Sequence, residues 1–201
     1  MTLKQILQEF NLESDTDKNS THCYIDCFYE EYFLPYQKKS ISLLEVGISL
    51  GASLKLWKEY FTNAKTIVGI DNRPEVIHKQ FRNIEGVTYY FEDAYSENII
   101  SKLPKFDIII DDADHCVESQ IKAIQLYLPL LKKGGLYVVE DIDGSMIDGR
   151  HTRGQRPSYS EFKQMFVDCM ESLKDSYKSY KWLDLRHIKN RPDDTLLIIK
   201  K

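Results

Sequence analysis

The sequence predicts an α/β protein built on a doubly wound, mostly parallel sheet of seven strands, the last of them antiparallel. Three observations predict it. From residue 41 onward short apolar runs alternate with segments of helical periodicity, which implies a parallel sheet with right-handed crossovers. The runs end abruptly in glycine or in acidic residues, as buried strands do at a ligand-binding edge. The C-terminal stretch departs from the alternation and reads as a hairpin.

The elements follow in order. Residues 1–40 form an N-terminal helical region and 41–201 a sheet core, together one domain. In the first, SDTDKNS can cap THCYIDCFYEEYF, which places Tyr24, Phe28 and Tyr32 on one helical face. An exposed aromatic helix of this kind predicts self-association into a homo-oligomer. SLLEVGI is the first strand, and ASLKLWKEYF the first core helix, with Leu54, Trp57 and Phe61 on its stripe. TIVGID, VTYYFED and FDIIIDD are the next strands. Helical periodicity then runs from Val117 to Leu131 and stops at Lys132, Lys133 and Gly134. LYVVED is the fifth strand. A helix over 159–177 precedes YKWLDLRHI and TLLIIKK, which flank the turn-forming NRPDD.

Composition narrows the function. Lys and Arg total 27 against 31 Asp and Glu, a net charge of −4. Nucleic acid and anionic membranes reward a positive surface, so neither is an expected partner. No apolar run is long enough to span a bilayer and MTLKQILQEF lacks a signal-peptide core, so a cytoplasmic location is expected. Cys23, Cys27, Cys116 and Cys169 lack metal-type pairing and read as small buried thiols.

The chemistry lies at the strand ends. Glu45, Gly47, Ser49, Gly51 and Ser53 form a turn whose glycines allow close backbone approach and whose following helix offers free N–H groups. Such a loop serves either a dinucleotide or S-adenosylmethionine. Asp71 closes the second strand, where a carboxylate accepts ribose hydroxyls. Asp93 and Ala94 follow the third, where an adenine would lie. The fourth strand ends in Asp111-Asp112-Ala113-Asp114-His115 and the fifth in Glu140-Asp141. Clustered carboxylates at the end of an apolar strand repel one another and desolvate at a cost, a conflict that a divalent cation resolves. Oxygen ligands suit Mg²⁺ or a similar hard ion. His115, one turn beyond, is suited to accept a proton. The glycine-containing loop from Gly144 to Ser158 gathers Arg150, His151, Arg153 and Arg156, cations fit to grip a substrate phosphate or carboxylate.

Thr16-Asp17-Lys18 with His22 and Tyr24, then LLEVGISLGASLKLW, IVGID, IIIDDADH and GGLYVVEDI, resemble the metal-dependent sugar O-methyltransferases of the macrocin and mycinamicin type. The resemblance covers roughly residues 15 to 143. It implies a class I methyltransferase, Rossmann-like fold, S-adenosylmethionine, Mg²⁺ and transfer to a sugar hydroxyl, the sugar nucleotide-linked or otherwise phosphorylated, in capsule or natural-product biosynthesis. It assigns Asp112, Glu140 and Asp141 as metal ligands, Asp112 beside the cofactor as well, and His115 as general base. Thr16 and His22 are expected to fold back towards the cofactor. Ala113 and Asp114 stand where the family has glycine and serine, so Asp114 is a candidate substrate contact, and Ser49 replaces one loop glycine. The competing readings are an N-methyltransferase of a small phosphorylated amino alcohol, a cephalosporin-hydroxylase-like relative, an NAD-dependent oxidoreductase and a non-catalytic subunit.

Overall fold

The structure, a computed structural model, describes residues 1–143, 146–147, 150–151 and 159–201. The apolar runs become strands β1 (Ser42–Val46), β2 (Thr66–Ile70), β3 (Val87–Tyr90), β4 (Phe106–Asp111) and β5 (Leu131–Val139), which pair in parallel. The hairpin of β6 (Ser179–Asp184) and β7 (Thr195–Lys200) completes the sheet. Its order is β3-β2-β1-β4-β5-β7-β6, with β7 inserted antiparallel beside β5. Strand order reverses between β1 and β4: β2 and β3 are added on one side of β1, β4 and β5 on the other. At such a switch point the crossovers leave on opposite faces and a crevice opens over the carboxyl ends.

Side chains alternate across the sheet, and this parity decides which residues meet. Leu43, Ile108, Ile110, Val138 and Ile198 face one core cluster. That face is covered by α1 (Leu3–Glu9), α3 (Glu30–Phe33) and α4 (Ala52–Tyr60), while α2 (Asp17–Ser20) buries Lys18 against the strand-end carboxylates. Leu44, Val46, Ile109, Tyr137 and Val139 face the other. It is covered by α5 (Glu97–Lys102), α6 (Val117–Tyr127) and α7 (Tyr159–Ser172). Glu45 and Glu140 therefore point towards the N-terminal layer, whereas Asp111 points away from it.

The N-terminal aromatic segment corrects one expectation. Tyr24 and Phe28 of the expected exposed face are fully buried, as are Tyr29 and Phe33, and of that face Tyr32 alone is partly exposed. The buried rings pack with α4 instead: Trp57 lies 5.1 Å from the Tyr29 ring and 5.3 Å from Phe33. Nor is the segment a plain α-helix, because Ile25–Tyr29 is a π-helical turn. The i→i+5 pattern of such a turn brings residues five apart, here Tyr24 and Tyr29, onto one side.

Boundaries differ for local reasons. α6 stops at Tyr127, and a single turn containing Pro129 leads into β5, since proline supplies no N–H to continue the ladder. β6 ends at Asp184, after which Arg186–Lys189 makes one helical turn closed by left-handed Asn190 (φ 55°). α7 ends at Ser172. Among the described residues no helix is long and apolar enough to cross a membrane. The four cysteines are free. Burial, then Cys27, pushes the Cys23 thiol up to about 12. Thiolate is the reactive species, so iodoacetamide at pH 8 should leave Cys23 unmodified in the folded protein. Mass spectrometry showing alkylation as fast as that of an unfolded control would contradict this.

Candidate cofactor and metal site

The turn after β1 is built by close backbone approach. Gly47 adopts φ +81°, and a Cβ there would stand 2.0 Å from the Asp112 carbonyl oxygen. The β1 and β4 loops can touch only at glycine. Ser49 (φ 40°) and Gly51 (φ 91°) continue the left-handed path into α4. Ser49, the residue standing in for a loop glycine, therefore bears a strained conformation. Asp71 clasps this turn: its Oδ2 accepts the Ile48 and Ser49 N–H groups at 3.1 Å each, and its Oδ1 accepts Arg73 N–H at 2.9 Å.

A cleft crosses the carboxyl ends of β2, β1 and β4. One lobe, about 320 Å³, is lined by Thr16, Lys18, Gly47, Ser53, Asp112 and His115, among others. The other, about 490 Å³, takes in Asp93, Ala94, Tyr95 and Asp114. Gly47, Asp71, Arg73, Ala113 and His115 line both lobes. The cleft thus joins an outer lobe with Asp71 and Asp93 to an inner lobe beside the carboxylates, a shape that fits an elongated molecule with a nucleoside at one end and a charged group at the other.

The sequence candidates divide on inspection. Thr16, Gly47, Ser53, Asp71, Asp93, Ala94 and Asp112 border the cleft. Glu45 does not: it is fully buried beneath Ser53, accepting that hydroxyl at 2.8 Å and the Trp57 indole N–H at 3.2 Å. Burial pushes its carboxyl up to about 7 although Lys18 pulls the other way. His22 also lies outside the cleft. It is buried behind Asp141, its Nδ1 2.5 Å from Asp194 Oδ1 and its ring stacked on Tyr24. Glu45 lies one step inside the strand end, level with Ile110 and covered by Ser53, and His22 follows the N-terminal segment behind the strand ends. Asp114 takes on a local task, accepting Cys116 N–H at 3.1 Å and the Ser119 hydroxyl at 2.8 Å at the start of α6. Asp111 leaves the carboxylate group altogether, buried against Tyr127 and Tyr137 on the opposite face. Arg150 belongs to a two-residue strand paired with Met146–Ile147. Arg153 and Arg156 lie outside the described residues.

At the inner end Asp112, Glu140 and Asp141 converge. Asp112, His115 and Asp141 each bring a donor atom within 4.8 Å of the others. His115 Nε2 lies 3.9 Å from Asp141 Oδ2. Its Nδ1 is buried without a hydrogen-bond partner. His115 (φ 56°) and Asp141 (φ 55°) are both left-handed, a strain typical of residues whose side chains are placed for chemistry. Burial and Asp112 push Asp141 up to about 6 against the pull of His22 and His115. The carboxylate oxygens of Asp112 and Asp141 are donors that fit a hard divalent ion, with the His115 imidazole beside them.

Lys18 is the residue that sequence reasoning quoted but gave no role. It is 1% exposed, and its Nζ donates to Asp112 Oδ2 at 2.7 Å and to both Glu140 oxygens at 2.8 Å. Tyr29 donates to Glu140 as well, and Tyr24 to Asp141 at 2.5 Å. Burial alone would lower the Lys18 pKa, but Asp112 and Glu140, with Tyr29 and Glu45, more than offset it and hold it well above the ordinary value. A signal existed: Lys18 is a lone cation in a segment bound to pack over acidic strand ends. Nothing in its spacing, however, measures the distance to residues 112 and 140.

Comparison with known proteins decides the family. Residues 38–192 match the family model described as a methyltransferase domain. The chain belongs to the methyltransferase domain family. This methyltransferase-domain chain is similar to the 8-demethyl-8-alpha-L-rhamnosyl tetracenomycin-C 2'-O-methyltransferase of Streptomyces olivaceus, at 30% identity over 67% of the chain and 37% of that protein. It is similar to the mycinamicin VI 2''-O-methyltransferase of Micromonospora griseorubida, at 29% identity over 57% of the chain and 30% of that protein. The chain thus spans about a third of the length of the curated relatives it matches, and those relatives are sugar O-methyltransferases. Among solved structures, MycE methyltransferase in complex with Mg, SAH and mycinamycin VI superimposes with a TM-score of 0.74 at 20% identity, over 100% of this chain and 54% of that one. The shared architecture is the class I methyltransferase fold, with its antiparallel β7.

Proposed function

We propose that this domain transfers a methyl group from S-adenosylmethionine to a hydroxyl of a sugar, with a divalent ion, Mg²⁺ or similar, at the inner end of the cleft. The observation that carries the reading is the meeting of Asp112, Asp141 and His115 where the cleft ends. Asp71, Asp93 and Ala94 would hold the nucleoside end of the donor, and Thr16, Gly47 and Ser53 its amino-acid end. Asp112 and Asp141, with Glu140 adjoining, would hold the ion. When bound there, such an ion lowers the pKa of a coordinated hydroxyl. His115 takes the proton as the acceptor oxygen attacks the methyl carbon in line with the departing sulfur. The strained loops hold nucleophile and methyl in register, which supplies much of the remaining rate. The N-methyltransferase reading needs no group to acidify its nucleophile and leaves the converging carboxylates without a task.

The finer assignment is a sugar on a phosphorylated carrier or a natural-product glycoside, with Arg150, Arg153 and Arg156 as phosphate-binding candidates. Two measurements test the function. A panel of nucleotide sugars and glycosides incubated with methyl-labelled donor should label a sugar oxygen; label on nitrogen alone rejects the proposal. Chelation by EDTA should reduce turnover at least about 10²-fold, with Mg²⁺ restoring it. Activity indifferent to EDTA removes the metal from the mechanism.

A further inference from the structure

Lys18 stands where the carboxylates would otherwise need an external cation. Buried Glu45, Glu140 and Asp141 gather with the partly exposed Asp112, and Lys18 Nζ contacts three of them, at 3.6, 2.7 and 2.8 Å respectively for Glu45, Asp112 and Glu140. Its ammonium is compact, donates three hydrogen bonds and sits at the end of a flexible stem, so it can neutralise Glu140 and one oxygen of Asp112 without demanding a fixed geometry. These same residues face the donors Asp141 and His115. A divalent ion settling there meets a positive charge already at its carboxylates.

We propose that Lys18 is a resident cation of the metal site, holding Asp112 and Glu140 assembled when the ion is absent and competing with the ion for them. This rests on the metal reading of the site given above. Two opposing consequences follow. Lys18 makes the folded site independent of metal, because the buried carboxylates keep a counter-charge. It also weakens metal binding, because the ion pays repulsion from the ammonium and displaces hydrogen bonds that it makes.

The test is Mn²⁺ binding followed by electron paramagnetic resonance, paired with thermal melts in EDTA and in Mn²⁺. It uses the whole chain and the variants Lys18→Met and Lys18→Gln, the second retaining a donor to Glu140 if methionine compromises folding. The unsubstituted protein should stay folded in EDTA, as expected when its own cation suffices, and Mn²⁺ should raise its Tm by less than it raises that of either variant. Either variant should bind Mn²⁺ at least about tenfold more tightly and melt well below the unsubstituted protein in EDTA, with Mn²⁺ restoring most of the loss. Mn²⁺ affinity equal to or weaker than that of the unsubstituted protein overturns the proposal. So does a variant that stays unfolded at saturating Mn²⁺, because the ion then cannot take the lysine's place. If the unsubstituted protein binds no Mn²⁺ but a variant does, the metal reading fails and the role of Lys18 stands. If neither binds, both fall.

Discussion

Replacing His115 with alanine should lower turnover by about 10²–10⁴-fold, the range expected for loss of a positioned general base. Binding of S-adenosylhomocysteine, measured by calorimetry, should stay within about threefold, a change under about 0.7 kcal/mol by the relation of affinity to free energy. The separation follows from geometry. His115 lines both lobes and lies 3.9 Å from Asp141, but the cleft wall also takes in Gly47, Asp71, Asp93 and Ala94, which its removal leaves in place. Its free Nδ1 is not engaged in holding the loop. A variant with near-normal turnover would remove His115 from the chemistry. A variant that loses cofactor affinity as well would make it a scaffold residue.

Gly47→Ala should be among the most destabilising single substitutions in the chain. Its φ of +81° costs an alanine about 1–2 kcal/mol. The new methyl would also stand 2.0 Å from a backbone carbonyl and 2.5 Å from Ala113 Cα, neither of which can rotate away. A combined loss of about 3 kcal/mol or more is expected, which for a domain of this size lowers Tm by about 6–12 °C. The β1 and β4 loops must part to admit the methyl, so S-adenosylhomocysteine affinity should fall by at least about tenfold in the same protein. An alanine variant that melts and binds as the unsubstituted protein does would show that the two loops do not meet as described.

Much of the sheet is legible along the chain because a strand announces itself locally. SLLEV, TIVGI and FDIIID are apolar stretches of strand length with sharp ends, and burial on both faces demands that composition. The carboxylates at 112, 140 and 141 are legible for the same reason: a charge at the end of a buried run is locally anomalous. The N-terminal segment is harder. Its aromatics show helical spacing, but whether a helix stripe faces solvent or core depends on what packs over it, and α4 lies some thirty residues away. The π-helical turn at Ile25–Tyr29 has no pattern of its own in composition.

The sequence by itself determined the alternation of strands and helices, the antiparallel hairpin and the placing of glycine, carboxylates and His115 at the edge where ligands bind. Those are properties of short stretches, governed by periodicity and by the cost of burying charge. Only the tertiary structure decided which carboxylates share a site. Pleat parity sent Asp111 to the far face, while Glu45, on the same face as Glu140 but level with Ile110, lies deeper and is covered by Ser53. Lys18 met Glu140 across a sequence separation of 122 residues. A buried ion pair of this kind is specified by distance and desolvation together, and neither quantity exists until the two layers have packed.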